Sequence, residues 1–397
     1  MTSIDLSPRA ARRVLRPLLA GDASDAMAVE RLATVVWCHL VEPGDSAAGR
    51  LLSGLGPAEA LRLVIGDGTT ELVEDTDLAT ARKRWAPRLS LEHVSDALRS
   101  ASRAGVRLVT RADPEWPRQL DDLGHHAPVC LWVRGSASRL LELRPSVAVV
   151  GARAATSYGE HVAIELAADL AGGGVAVVSG GAYGVDGAAH RAVLSVGGLT
   201  VALLAGGVDR PYPAGHAGLL DRIAATGAVV SEAPCGSAPT KWRFLQRNRL
   251  IAALAEATIV VEAGWRSGSL NTAGHAAALS RHLGAVPGPI TSAASAGTHR
   301  LLREYGAQCI TSAADIRELI GLDESPTSSV AADGRARTDD TTRVRDALSA
   351  RTWRDTPDVA RRAGMTPDEV EAILGLLHLE GAVVRGPAGW RNANTRD

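Results

Sequence analysis

The sequence predicts an α/β protein: a doubly wound parallel sheet with a helical domain before it and a winged helix after it. Three observations carry that expectation. From about residue 100 to 320, short β-branched runs alternate with Ala- and Leu-rich helical stretches. The first 90 residues place their apolar side chains at helical spacing and hold no convincing strand. Beyond residue 342, helical stretches lead into a short hairpin. The chain has 397 residues, 46% hydrophobic and 22% charged, an ordinary globular composition. At roughly 100–200 residues per domain, that is length for two or three domains.

Residues 1–95 make up the expected N-terminal helical domain. Ala26–Leu40 and Ala58–Ile65 carry apolar residues at helical period, with Gly and Pro between them. Val41-Glu42-Pro43-Gly44-Asp45-Ser46-Ala47-Ala48 resembles a helix-hairpin-helix turn whose second glycine is missing, so the domain is SAM- or helix-hairpin-helix-like. Within 96–320, the candidate strands are Ser146–Val150, Val175–Val178, Thr200–Leu204, Ala228–Val230, Thr258–Val261 and Gly284–Val286. They are too short and too apolar for half-exposed strands and fit buried parallel ones joined by crossover helices. Residues 321–341 are polar and aperiodic, which reads as a linker. Val344–Ala350, Thr356–Ala363 and Thr366–Glu380 then read as helices, and 381–391 as a hairpin, giving a winged helix over 342–393. That module holds eight arginines against seven acids. A duplex reader is normally basic, so protein docking is at least as good a use for it.

Charge and cysteine content exclude several classes. Lys+Arg is 43 and Asp+Glu is 44, a net charge of −1, which rules out a uniformly basic nucleic-acid coat protein. Cys38, Cys130, Cys235 and Cys309 lie far apart without metal-ligand spacing, so neither a structural zinc site nor a disulfide scaffold is expected, and the usage fits a reducing compartment. The start MTSIDLSPRA lacks an apolar signal core, and no run approaches the ~20 apolar residues that span a bilayer. A cytoplasmic protein with no membrane partner is expected. No Gly-Lys pair occurs, which removes a Walker A motif, and neither cofactor nor metal is expected.

In an open parallel sheet, ligands bind beyond the carboxyl ends of the strands. After the first core strand comes Gly151-Ala152-Arg153-Ala154-Ala155-Thr156-Ser157-Tyr158-Gly159. Its glycines permit close backbone approach, the next helix offers free N–H groups, and Arg153 adds a guanidinium fork. Taken alone, it is also simply a tight strand-to-helix turn. Ser179-Gly180-Gly181-Ala182-Tyr183-Gly184-Val185-Asp186 is a second anion-ready nest. Asp186 and His190, at i and i+4, form either an acid–base couple or a cap and an oriented structural partner. The absence of a nearby nucleophile favours the second. Lys241-Trp242-Arg243-Phe244-Leu245-Gln246-Arg247-Asn248-Arg249 interleaves four cations with two rings, one of them the chain's only phenylalanine. It is either a solvated basic helix start or a single-strand groove, in which cations track a backbone and rings stack bases. Ser267-Gly268-Ser269 with Thr272 offers N–H and O–H donors to a phosphate, or an ordinary N-cap.

Assembled, these segments resemble the DNA-processing protein A family (DprA, also called Smf). The similar text includes Val147 through Arg153, Ser157-Tyr158-Gly159, Ser179 to Asp186 with His190, Pro211-Tyr212-Pro213, Ser231-Glu232-Ala233-Pro234, Phe244 to Arg249, Ser267-Gly268-Ser269 with Thr272, and Ala285-Val286-Pro287-Gly288. The approach region, Val106–Thr110, Asp113, Trp116-Pro117 and Leu131–Gly135, is similar too. The resemblance implies an extended Rossmann-like domain that binds single-stranded DNA without catalysis. It also implies a homodimer that protects incoming strands and loads the recombinase RecA onto them during natural transformation. By the same resemblance, Arg153, Phe244, Arg247 and Arg249 form the groove with Lys241, Arg243 and Asn248. The phosphate-side loops supply Ser157, Gly159, Ser179, Gly180, Gly181, Gly184, Ser267, Gly268, Ser269 and Thr272, while Asp186 and His190 orient them. The chain departs from the family at Leu245, where a proline is usual, at Ser280 and Gly284 before and within the last core strand, and at His299. The competing readings are a nucleotide phosphoribohydrolase-like enzyme and a nucleotide-binding interaction module on the same fold. The enzyme needs a glutamate in the helix after its glycine loop, and Gly264 through Leu283 contains no carboxylate.

Overall fold

The structure is a computed structural model that describes residues 4–16, 18, 24–66, 68–322 and 340–393. The chain divides into two compact units, Met1–Asp323 and Glu324–Asp397.

The first unit opens with helices α1 (Pro8–Leu15), α2 (Asp25–Leu40), α3 (Ser46–Leu55), α4 (Pro57–Ile65), α5 (Asp75–Trp85) and α6 (Leu91–Arg103). Ser24 caps α2 by accepting from the Met27 N–H. Trp37 of α2 meets Trp85 edge to face, with 5.1 Å between ring centroids. This helical segment has no core of its own. Leu32, Trp37 and Leu98 share one apolar cluster with Val106, Trp132, Leu204 and Leu220. The expected boundary at residue 95 falls inside α6, and the first strand begins only at Val106, with the apolar packing continuous across both.

The turn after α2 is closed by its own carboxylate. The Asp45 carboxylate accepts from the Ala47 and Ala48 N–H groups at 3.1 and 3.2 Å and from Trp85 Nε1 at 3.0 Å. The backbone donors that would face a phosphate are thus occupied by the chain's own carboxylate.

Strands β1 (Val106–Val109), β2 (Leu131–Gly135), β3 (Ser146–Val150), β4 (Ala176–Ser179), β5 (Thr200–Leu203), β6 (Ala228–Ser231), β7 (Ala257–Val260), β8 (His282–Ala285) and β9 (Gln308–Cys309) form one nine-stranded sheet. Their order is β1-β2-β6-β5-β4-β3-β7-β8-β9. From β6 to β9 every pairing is parallel. At the other edge the parallel expectation is corrected: β2 pairs antiparallel with both β1 and β6. Between β1 and β2 lies only a 3-10 segment, Arg118–His126, and without a crossover α-helix the chain returns beside itself.

Helices α7 (Ser157–Gly172), α8 (Val185–Ser195), α9 (Ala217–Thr226), α10 (Lys241–Leu254), α11 (Ser269–Ala278), α12 (Ala296–Glu304) and α13 (Ala313–Leu319) complete the unit. The sheet separates two further apolar clusters, one holding Val150, Leu250 and Ala273, the other Val149, Leu166 and Val185. Adjacent strand residues feed opposite clusters, which is why the strands read as unbroken apolar runs.

His190 of α8 is fully buried between these layers. Thr200 Oγ1 donates to the Val177 carbonyl, so it accepts from His190 Nδ1 at 2.7 Å, and Nε2 has no partner. Burial pulls the imidazole pKa down to about 3. Unfolded histidine titrates near 6.5, so the folded state keeps the ring neutral. That contribution is complete above pH 6.5 and is lost as pH falls toward 3, at about 1.4 kcal/mol per pH unit. Between pH 7 and 5 the unfolding free energy is expected to drop by about 2 kcal/mol more than it does in His190→Asn, measured by urea titration. Parallel pH profiles would show that His190 does not sit neutral in the core.

The second unit holds α14 (Asp340–Ala347), α15 (Thr356–Ala363), α16 (Pro367–Leu379) and a hairpin of β10 (Val383–Gly386) and β11 (Gly389–Asn392). Val344, Val359, Leu374, Val383 and Trp390 form its core, and the arrangement is a winged helix. Of the linker expected at 321–341, residues 323–339 lie outside the described residues.

Candidate functional site

The loops leaving β3, β4, β5, β6 and β7 meet at the carboxyl rim of the sheet, so the four expected loops are neighbours. Which of their side chains face outward is decided by packing.

A run of cations does not stay on one surface when its helix starts at the rim and runs back over a sheet face. Thr240 caps α10, accepting from the Arg243 N–H at 3.2 Å. Lys241 and Trp242 are exposed, the next four residues half-buried, and everything from Arg247 to Leu254 buried. Arg243 grips Glu42 of the α2–α3 turn through two 2.9 Å bonds and donates to the Ala238 carbonyl. Arg247, 5% exposed, donates to the carbonyls of Gly180, at 2.7 Å, and Leu203. Burial lowers its pKa to about 10, against the pull of the nearby Asp186 charge. Arg249, 2% exposed, forks onto the Glu232 carboxylate at 2.6 and 2.7 Å and donates to the His126 carbonyl. Asn248 is buried and donates to the Gly268 carbonyl and to Asn271 Oδ1. The expectation that Arg243, Arg247, Asn248 and Arg249 line an open groove is therefore corrected: they fasten α10 to its neighbours. Trp242 lies beside the α2–α3 turn, away from Phe244, because residues two apart on a helix do not share a face.

The glycine loop after β4 is a nest that is already filled. The buried Asp186 carboxylate accepts from the N–H groups of Gly180 and Ala182, at 3.1 and 3.4 Å. Burial raises its pKa above the ordinary carboxylate value, opposed by the Arg247 charge. Asp186 and His190 bond to different partners and form no acid–base couple. Ser179 is buried and donates to the Val149 carbonyl. Gly184 has φ +71°, and a Cβ there would stand 2.2 Å from the Ala152 carbonyl oxygen. A Cβ on Gly180 would strike the Arg247 guanidinium at 2.5 Å. Gly181, also at positive φ, is buried and its carbonyl lies 3.0 Å from His216 Nδ1. These residues let loops pack together, so Ser179, Gly180, Gly181 and Gly184 are corrected as open phosphate donors.

The same holds at the reversal point between β3 and β7. Glu262, 2% exposed, accepts from the Thr156 N–H and hydroxyl at 2.8 and 2.7 Å. Gly159 packs on that carboxylate, where a Cβ would come within 2.5 Å. Ser269 and Thr272 are buried, and the hydroxyls of Ser267 and Ser269 bond each other at 2.8 Å. Ser157 and Gly268 remain exposed.

What stays open on the rim is aromatic and basic. The exposed Arg153 places its guanidinium carbon 4.6 Å from the Phe244 ring centroid. Arg247 underlies the same ring at 5.8 Å, and Tyr212 stands 5.5 Å away at 57°. Tyr183 sits edge-on to His216 at 4.6 Å, in the loop segment that also carries Tyr212. Tyr183 and Tyr212 are 49% and 46% exposed. Arg210 and Lys241 add exposed charge to the same rim. Rings with an overlying guanidinium can stack planar groups and neutralise a phosphate. Sequence reasoning placed Arg153 and Phe244 here but did not select Tyr183 and Tyr212 as site residues, nor the buried carboxylates Glu232 and Glu262. The signals were a tyrosine inside the glycine loop, another between two prolines, and a glutamate just beyond each of β6 and β7.

The family model for DNA recombination-mediator protein A matches residues 107–321, and that for the DprA winged helix domain matches residues 327–389. The relative named "Putative DNA processing protein DprA" in Mycobacterium tuberculosis (strain ATCC 25618 / H37Rv) is 44% identical over 375 residues, covering 89% of this chain and 93% of that protein. Protein Smf of Escherichia coli (strain K12) is 36% identical over 276 residues, 66% of this chain and 71% of its own length. The X-ray structure of DNA processing protein A from Streptococcus pneumoniae is similar with a TM-score of 0.61 and 32% identity, covering 73% of this chain and 96% of that one.

Proposed function

The chain belongs to the DNA recombination-mediator protein A family, and from that premise we propose that it binds single-stranded DNA along the rim strip and hands it to the recombinase RecA. The observation that carries this reading is Arg153 stacked on Phe244 beside Tyr212, at the exposed end of a helix, α10, whose own arginines are held inward. Bases stack on the rings, and Arg153, Lys241, Ser157 and the Gly268 backbone meet phosphates. Nothing in the strip presents a helix or ribbon to a duplex groove, so recognition is of flexible strands with little sequence preference. Glu262 supports a non-enzymatic role, since its carboxylate is bonded inward to Thr156. The protein acts as a homodimer in the cytoplasm, protects incoming strands during natural transformation, and needs no cofactor. Among the described residues no helix is long and apolar enough to cross a membrane.

The winged helix serves a protein partner in this reading. Arg361 and Arg362 pair with Asp358, Arg343 pairs with Asp340, and Arg385 and Arg391 lie over Trp390 and Trp353. With eight arginines against seven acids, the module has little net charge with which to neutralise phosphates.

Arg153→Ala is the test of the phosphate contact. Affinity for single strands is expected to fall by a similar factor for every sequence, and the slope of log K against log salt to shrink by about 0.7. Fluorescence anisotropy over a salt series reads both. An unchanged slope would mean that Arg153 meets no phosphate.

A further inference from the structure

We propose that Cys38 and Cys130 are a redox-active dithiol that closes to a disulfide and locks the helical segment onto the sheet. The two residues are 92 positions apart, yet their sulfurs lie 2.9 Å from each other. A disulfide bond is about 2.05 Å long, so closure needs movement of only about 1 Å. Cys38 sits near the end of α2, and Cys130 immediately precedes β2. The bond would cross the junction between the helices and the antiparallel edge of the sheet. No other covalent link spans that junction among the described residues, where all four cysteines are free thiols.

Access is one-sided. A cavity of about 470 Å³ lies between α2 and the sheet edge, and Met27, Thr34, Cys38, Val41, Pro128 and Ala233 are among its lining. Cys38 borders it, whereas Cys130 is fully buried and does not. Burial pushes the Cys130 thiol well above the ordinary cysteine value, with the Cys38 sulfur beside it and the Glu232 and Asp113 charges acting in the same sense. Cys38 borders the cavity that a small oxidant can enter, so it is the one first oxidised, and the enclosed Cys130 is the resolving partner.

A small hydroperoxide is the oxidant. The Cys38 thiol attacks hydrogen peroxide, the O–O bond breaks, and Cys38 sulfenic acid and one water result. The Cys130 sulfur then displaces the sulfenic hydroxyl, which leaves with the Cys130 proton as a second water. Two thiols are oxidised by two electrons and one peroxide is reduced. Cys309, which is exposed, provides an internal control for the dose.

The experiment treats the reduced full-length protein with hydrogen peroxide, alkylates the remaining thiols and maps the unreduced digest by mass spectrometry. The expected product is a cross-linked peptide joining Cys38 to Cys130, two hydrogens lighter than the separate peptides and reversed by dithiothreitol. Closing so long a loop is expected to raise the thermal midpoint by about 5 °C or more. Cys38→Ser and Cys130→Ser should each abolish the cross-link and the shift. Recovery of both cysteines alkylated while Cys309 is oxidised would overturn the proposal. So would Cys38 sulfinic acid beside alkylated Cys130.

Discussion

Glu232→Ala is expected to destabilise the first unit by about 3–5 kcal/mol, the largest effect of any single substitution at the rim. The Arg249 guanidinium is buried and always charged, and Glu232, just beyond β6, is the one carboxylate paired with it among the described residues, through two bonds of 2.6 and 2.7 Å. Removing that carboxylate leaves a charge that cannot deprotonate, facing the His126 and Gln246 carbonyls. Urea unfolding of the full chain measures the loss. The paired replacement Glu232→Leu with Arg249→Met should recover most of it, because apolar residues of similar volume remove the charge along with its partner. A loss below about 1 kcal/mol in Glu232→Ala would show that Arg249 reaches solvent and that α10 is anchored elsewhere.

Phe244→Ala is expected to weaken single-strand binding by about 1–3 kcal/mol, roughly 5- to 150-fold, while leaving the salt slope unchanged. A ring releases no counterions, so its loss removes stacking and not charge neutralisation. The effect is not independent of Arg153, whose guanidinium lies on the ring at 4.6 Å. The double substitution should therefore cost less than the sum of the two singles, with the difference measuring how far the ring positions the cation. Phe244→Tyr keeps the stacking surface and should bind within a few-fold of the parent. If Phe244→Ala binds as tightly as the parent, the strip is not where bases sit.

The core strands were legible because buried parallel strands leave a strong mark: Ser146–Val150 and Thr200–Leu204 coincide with β3 and β5 to within a residue. The helices at Ala26–Leu40 and Ala58–Ile65 were legible for the corresponding reason, a period of 3.6 in apolar residues. The antiparallel pairing of β2 was not, since β2 carries the same apolar composition as the parallel strands of the sheet and only the missing crossover helix betrays it. At the site, Arg153 and Phe244 were legible as residue types, but the fate of Arg247 and Arg249 was not. Linear sequence shows a cation without showing how far along a helix burial begins. Nor does a glycine loop reveal that Asp186, six residues on from Gly180, folds back to occupy it. Tyr212 escaped because its partner Phe244 is 32 positions away.

The central claim, that this rim takes flexible single strands, is tested most directly by comparing affinities for a mixed-sequence single strand and for its duplex at matched salt across a salt series. The single strand is expected to bind at least about tenfold more tightly, with a log–log slope near −0.7 for each phosphate neutralised. Equal affinity for strand and duplex, with equal slopes, would contradict it.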